Sequence, residues 1–324
     1  MVIYVIGLGS MGKRRTRLLL EKKDVEVIGI DSRTDRCEEA SKLYGIKTFS
    51  DIKDACEYKK ADCAFACTAP LSHASVIEMC LQNDLHVFTE INLVTDGYDS
   101  NCELAKKKNK VLFLSSTFLY RPEIKCLCEK VSNSNSAINY TYHVGQYLPD
   151  WHPWENYKDF FIGNKRTNGC REIFGIEMPW LVTCFGEIES VYAVKSKNTS
   201  LNINFNDNYI VTIVHKNGTK GVFIVDVVSR KPARHLEVFG EDLSMRWEGT
   251  PDSLFEYDIE NKTENKVNVG EYEHDNRYAA FVVENQYREE IDDFLETVKN
   301  PSHTPKWSFE KDKKVLSVID EIEG

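Results

Sequence analysis

The chain has 324 residues, 42% hydrophobic and 28% charged, which suggests about two domains and allows a sizeable core. Its formal net charge of −10 disfavours phosphate backbones, so no nucleic-acid partner is expected; with no apolar run of ~18 residues, no membrane span is expected either. MVIYVIG opens on a strand pattern with no basic leader or cleavage signal, and the expected location is the cytoplasm. The ten cysteines include no C-x-x-C pair, and Cys126 and Cys128 stand too close for an ordinary zinc pair. They read as reduced thiols acting as small core residues, and no metal site is expected.

VIYVIG (2–7) is a continuous apolar run, as a strand buried on both faces requires. KRRTRLLLEK (13–22) predicts a helix, VEVIGID (25–31) a second strand, and DRCEEASKLYG (35–45) a helix closed by Gly45. Strands then read at KTFS, DCAFACTA (62–69), HVFTE (86–90) and VLFLSS (111–116), with helices over 72–84 and 96–109. This alternation predicts a doubly wound parallel sheet. After about residue 120 the pattern changes. Stretches 137–144, 190–196, 209–216, 221–229, 235–241 and 244–249 read as largely consecutive strands, with NGTKG (217–221) as a hairpin turn. Helices are expected over 122–132, 170–185, 279–299 and 309–322, and the polar stretch 260–276 as an exposed loop. The expected fold class is α/β. A Rossmann domain spans 1–120, and an α+β domain on an open, mostly antiparallel sheet spans 121–324.

GLGSMG (7–12) follows the first strand and opens the first helix. Gly7 allows the tight turn, Gly9 lets backbone approach a pyrophosphate, and Gly12 lets helix and strand pack closely. Ser10 and Met11 supply the free N–H groups of the helix start. Asp31 ends the second strand, 19 residues after Gly12, where a carboxylate can hold the adenosine ribose hydroxyls. NAD is the expected cofactor. Ser32, Arg33 and Arg36 could clamp a 2′-phosphate, so NADP stays open. Lys13, Arg14 and Arg15 read either as positive charge for the site or as a solvated basic face.

Together GLGSMG, CTAPLSHASVIEMCLQNDLHVFTE and STFLYRPEI resemble the glucose–fructose oxidoreductase / inositol dehydrogenase / rhizopine-catabolism (Gfo/Idh/MocA) family, over nearly the whole chain. The resemblance implies a Rossmann domain, an open-faced sheet domain, substrate between them, and homodimers or homotetramers built through the sheet. It also implies that Thr68, Ala69, Pro70 and His73 lie against the nicotinamide side of the cofactor, with Glu90, Asn92 and Arg121 among its contacts. In the family the fifth strand ends Glu-Lys-Pro, and a His on the first long helix of the second domain serves as acid/base. Here Ile91 replaces the Lys. Aligned on the closing Phe-Gly of NGCREIFGIEMPWLVTCFG (168–186), Ile176 takes the His place; a shift of one residue puts Glu177 there.

With both residues absent, the proton path is expected through His152, Glu177 or Tyr120. The aromatic stretch YLPDWHPWENYKDFF (147–161) offers Trp151, Trp154 and Tyr157 to stack on a sugar, and Arg171 could meet a phosphate. The same aromatics also read as a satellite core over the sheet, with His152 as a hydrogen-bonded support. The expected function is NAD(P)-dependent hydride transfer to or from a sugar or sugar derivative, nucleotide-linked sugars included, in bacterial carbohydrate or surface-polysaccharide metabolism. Two alternatives stand beside it: a regulator that binds dinucleotide and sugar without turnover, and an enzyme that uses held NAD for elimination or epimerisation.

Overall fold

A computed structural model describes residues 1–151, 155–273 and 283–324. The chain forms two compact units, Met1–Ser116 with Tyr287–Lys313, and Thr117–Gln286 with Lys314–Gly324. It leaves the first unit at 116, returns at 287 and leaves again after 313.

The first unit alternates β1 (Val2–Ile6), α1 (Ser10–Leu20), β2 (Glu26–Ile30), α2 (Thr34–Tyr44), β3 (Lys47–Phe49), α3 (Ile52–Tyr58), β4 (Cys63–Ala66), α4 (His73–Gln82), β5 (His86–Thr89), α5 (Tyr98–Lys107) and β6 (Leu112–Leu114). The six strands are parallel, in the order β3-β2-β1-β4-β5-β6. Strands β1 and β4 are buried almost throughout, which is why their sequences show no polar alternation. Gly45 closes α2 with φ +67, the left-handed end expected of it. The sequence reading passed over α3, a seven-residue helix capped by Asp51. Phe65, Phe88 and Phe113 stack across neighbouring strands, and Phe294 meets all three edge-on at 5.3–5.7 Å.

The second unit begins with α6 (Pro122–Asn133), β7 (Asn139–Gly145) and α7 (Gly169–Phe185). Strands β8 (Ile188–Ser196), β9 (Asn208–His215), β10 (Lys220–Asp226), β11 (Ala233–Phe239), β12 (Ser244–Trp247), β13 (Leu254–Asp258) and β14 (Thr263–Lys266) follow. Eight strands make one sheet, β14-β13-β12-β11-β7-β10-β9-β8, antiparallel except where β10 pairs β7. The open, mostly antiparallel sheet is therefore present. Part of the polar stretch 260–276 is strand, since β14 pairs β13 along the sheet edge. There every side chain of Thr263–Lys266 is exposed, so no apolar alternation marks it. One face of the sheet packs on α7 through Tyr142, Phe174, Trp180 and Phe223. The other leaves Tyr192, Val194 and Ile210 in solvent. Helices α8 (Asn285–Lys299) and α9 (Phe309–Glu323) end the chain.

Candidate functional site

The glycine turn is built by exclusion. Gly7 has φ +91, and a Cβ there would lie 2.7 Å from the Cys67 carbonyl oxygen. A Cβ on Gly12 would fall 1.8 Å from the Gly7 carbonyl oxygen, so α1 can start this close to β1 only with glycine. Gly9 differs: the nearest atom to its Cβ position is Arg36 Nη1 at 3.6 Å, which leaves its surface free for a ligand. Gly9 also caps α1, whose first turn carries no acidic residue and whose N-terminus no side chain caps. Ser10 is exposed and Met11 half-buried. Free amides at an uncapped, acid-free helix start are a fit for a diphosphate.

Asp31 lies just beyond β2 and is buried. It accepts from Leu8 N at 2.7 Å and Arg33 N at 2.9 Å, which ties the glycine turn to the end of β2. Arg36 stands 3.6 Å from its Oδ2. Ser32 and Arg33 are exposed, and the Arg33 guanidinium pairs with Asp35 at 2.5 Å. Asp31 also lines a cavity of about 530 Å³ with Thr34, Cys37, Thr48 and Phe49.

Thr68 and Ala69 form the turn after β4, against the glycine turn, with the Thr68 amide 3.0 Å from the Gly7 Cβ position. Pro70 starts a short 3-10 turn. His73 opens α4 and is buried; its Nε2 lies 2.9 Å from the Thr68 carbonyl and its Nδ1 2.5 Å from Asn92 Oδ1. Burial pushes its imidazole below the ordinary value, against the Asn92 and Thr68 contacts that favour the charged ring.

Glu90 ends β5 with both carboxylate oxygens taken by Arg15, Nε at 2.6 Å and Nη2 at 3.2 Å. Arg15 is fully buried and also reaches Glu290 at 2.5 Å, with Phe88 and Tyr287 stacked on its guanidinium. Ser115 Oγ and Ser116 N donate to Glu290. Burial pushes Glu290 up, opposed by Arg15 and reinforced by Glu90. Two carboxylates thus share one cation beneath the end of β5. The sequence treated Arg15 as site charge or solvated face; the structure makes it a core ion. Its place between Gly12 and Leu19 on the apolar stripe of α1 was the available signal.

In the second unit Glu177 is fully buried. Its Oε2 accepts from Tyr142 and from Trp180 Nε1, both at 2.7 Å, and its Oε1 from Arg234 Nη2 at 2.7 Å. Arg234 stacks on Phe118, 5.0 Å from the ring centre. Tyr120 is buried in a 3-10 turn. Arg121 is buried as well, donating to Glu123 Oε1 at 2.6 Å and to the Gly249 carbonyl at 2.8 Å. Arg171 pairs with Asp320 at 2.7 Å and with Glu323. Trp151 is half-buried, its ring edge 3.3 Å from the Cβ position of Gly169, and Tyr157 is half-buried beside Lys158. His152 and Trp154 lie outside the described residues. Ile176 is half-buried on the stripe of α7 that also carries Glu172.

The strand order, the glycine turn opening α1 and the carboxylate after β2 define the first unit as a dinucleotide-binding Rossmann domain. Residues 1–116 match the Gfo/Idh/MocA family model, described as an oxidoreductase family with an NAD-binding Rossmann fold. Residues 1–116, the opening part of the first unit, are thus similar to the NAD-binding domain of that oxidoreductase family. No curated protein matches the chain significantly. Three solved structures are similar over almost the whole length. The UDP-N-acetylglucosamine 3-dehydrogenase of Acidithiobacillus ferrooxidans is 17% identical, covers 100% of this chain and 96% of its own, and has a TM-score of 0.76. An oxidoreductase from Agrobacterium radiobacter, solved with NAD+, L-tartaric acid and magnesium, is 12% identical, with 99% and 94% covered and a TM-score of 0.79. Biliverdin reductase from Synechocystis sp. PCC 6803, with biliverdin and NADP+, is 14% identical, with 99% and 97% covered and a TM-score of 0.75. At these identities the likeness is one of fold.

Proposed function

We propose that the chain transfers hydride between a nicotinamide dinucleotide and a CH–OH carbon of a sugar or sugar derivative, in bacterial carbohydrate or surface-polysaccharide metabolism. The observation that carries this reading is the glycine turn, with Gly9 open beside an uncapped helix start and Asp31 fixed behind it. Gly7, Gly9, Ser10, Met11 and Gly12 would hold the diphosphate, and Asp31 the adenosine ribose, with Ser32, Arg33 and Arg36 at its rim. Thr68, Ala69 and Pro70 would border the nicotinamide. When bound, the nicotinamide supplies or takes the hydride. Glu90 and His73 hold these turns in place through Arg15 and Asn92. NAD is favoured because Asp31 places a carboxylate where a 2′-phosphate would sit.

The substrate class rests on the dehydrogenase of a nucleotide sugar among the similar folds and on Trp151, Trp154 and Tyr157 as stacking surfaces. His152 and Tyr120 remain proposed proton carriers. Glu177, with three donors on its carboxylate, fits a positioning role better. The ten free thiols support a cytoplasmic setting. A homodimer or homotetramer through the open sheet is supported by the cross-strand row Val194, Ile210 and Ile224, which continues into His143 and His235.

A second reading, a dinucleotide- and sugar-binding regulator, is favoured by Ile91 and Ile176 in the family's Lys and His places. One experiment separates the two. The purified protein is titrated with NAD and NADP by calorimetry, then assayed at 340 nm against a sugar and nucleotide-sugar panel. Turnover supports the enzyme, tight binding with no turnover supports the regulator, and no binding overturns both.

A further inference from the structure

Strands β7 and β10 end side by side, since Gly145 and Asp226 are register partners, and β11 begins at Ala233 opposite Gly145. The segments that leave these strand ends, 146–151 and 227–232, are laced together. Gln146 N donates to the Asp226 carbonyl at 3.2 Å and Leu148 N to the Val227 carbonyl at 3.0 Å. The buried Asp226 carboxylate accepts from Val228 N, Ser229 N and Ser229 Oγ at 2.7–3.0 Å, and His143 Nε2 lies 2.7 Å from it. Leu148, Val227 and Trp151 close on Gly169 at the start of α7, within 2.8–3.3 Å of its Cβ position. The turn after Asp226 is therefore fixed, and it sets Arg230 beside the aromatic stretch.

Arg230 is exposed, and its guanidinium lies over the Tyr147 ring, 3.6 Å from the ring centre. Stacking uses a face of the guanidinium and leaves the N–H groups at its edge to donate. Elsewhere arginines spend these groups on carboxylates of the chain itself, as Arg15, Arg121 and Arg234 do. Arg171, which the sequence offered for a phosphate, is spent on Asp320 and Glu323. Among the described residues no carboxylate pairs with Arg230, nor with the exposed Lys231 next to it. The chain has a formal net charge of −10, yet these two adjacent cations are left without an anion of its own.

We propose that Arg230 and Lys231 form an anion-binding subsite for the substrate, and that the sugar carries a phosphate group. The phosphate assignment rests on the sugar reading given above; the geometry of the two cations does not. A phosphate ester or diphosphate carries about two negative charges at pH 7, which matches two cations, whereas a sugar carboxylate carries one. The planar fork of Arg230 suits two oxygens of one phosphate, and Lys231 adds a point charge. Trp151, on the segment that also carries Tyr147, would take the face of the sugar ring.

The test is calorimetry on the full chain saturated with NAD, so that the glycine turn is occupied and cannot take the probe. UDP, glucose 1-phosphate, glucuronate and glucose are titrated into wild type, Arg230→Gln, Arg230→Lys and Tyr147→Leu. UDP or glucose 1-phosphate should bind wild type, and Arg230→Gln should weaken it about tenfold or more. The tighter of the two identifies the source of the phosphate, a nucleotide or the sugar itself. Arg230→Lys keeps the charge without the fork and should recover only part of the loss. Tyr147→Leu removes the platform and should weaken binding about two- to fivefold. Melting temperatures check that the variants fold; if Tyr147→Leu does not, the Arg230 variants decide. Phosphates that bind every variant as they bind wild type, or that bind none of the proteins, overturn the subsite. Glucuronate that binds as tightly as either phosphate and is lost alike in Arg230→Gln overturns the phosphate assignment. A protein that binds NAD and turns over unphosphorylated sugars while ignoring both phosphates keeps the proposed function and loses this inference. A protein that binds no NAD loses the proposed function, and the same titrations without NAD still decide the subsite.

Discussion

Replacing Glu172 with Gln should make the protein more stable, by an amount that grows with pH. Glu172 lies in the first turn of α7, and its Oε2 is closed off from water with no hydrogen-bond partner among the described residues. Burial alone pushes the carboxyl from 4.5 up to about 8. Because the folded value lies above the unfolded one, folding takes up a proton. Stability is therefore full below pH 4.5 and is lost progressively as pH rises toward 8. Each pH unit in that window costs ~1.4 kcal/mol, so by pH 7 the loss is about 3 kcal/mol. Gln keeps the shape and removes the charge, so the variant should gain about 3 kcal/mol at pH 7 and almost nothing at pH 4.5. Urea unfolding at pH 4.5, 7 and 8.5, followed by tryptophan fluorescence from Trp180 and Trp247 inside the second unit, measures both proteins. A difference that stays constant across pH, or a variant less stable than wild type at pH 7, would refute the reasoning.

Gly9→Val should abolish NAD binding in calorimetry while leaving the melting temperature within a few degrees, because the added Cβ meets only the Arg36 guanidinium, at 3.6 Å, and no backbone. Arg15→Met should lower unfolding free energy by about 3–5 kcal/mol, since it leaves Glu90 and Glu290 buried without their cation; denaturant titration reads this, and an effect under about 1 kcal/mol would show that the carboxylates do not need it. Val194→Glu places a charge on a residue 73% exposed on the open sheet face, and it should shift the species seen by analytical ultracentrifugation toward monomer without changing the far-ultraviolet spectrum.

What was readable in the sequence is what neighbours decide. The strands of the first unit are apolar runs because both faces are covered, and the glycine turn and Asp31 lie within one β-α-β stretch. What was hidden depends on partners far along the chain. Arg15 meets Glu90 75 residues on and Glu290 275 residues on, and nothing local marks either pairing. Glu177 lies among apolar neighbours on α7, and nothing beside it in the sequence marks its partner. Its cation is Arg234, 57 residues away, while Arg171 turns to Asp320 and Glu323. Strand β14 was missed because an edge strand of four exposed polar residues carries no period to detect. Asp312 gave no motif at all; its partners Tyr98 and Trp307 come from a helix start and a loop.

The return of Tyr287–Lys313 to the first unit has a consequence for synthesis. At roughly 5–20 residues per second, Glu290 and Phe294 leave the ribosome on the order of ten seconds or more after Ser116. Until then Arg15 has only Glu90, and the stacked rings of Phe65, Phe88 and Phe113 lack the edge that covers them. A nascent chain stalled anywhere in that interval should offer an unfinished apolar patch to chaperones, and the first unit reaches its final packing only after residues 117–286 of the second have been translated.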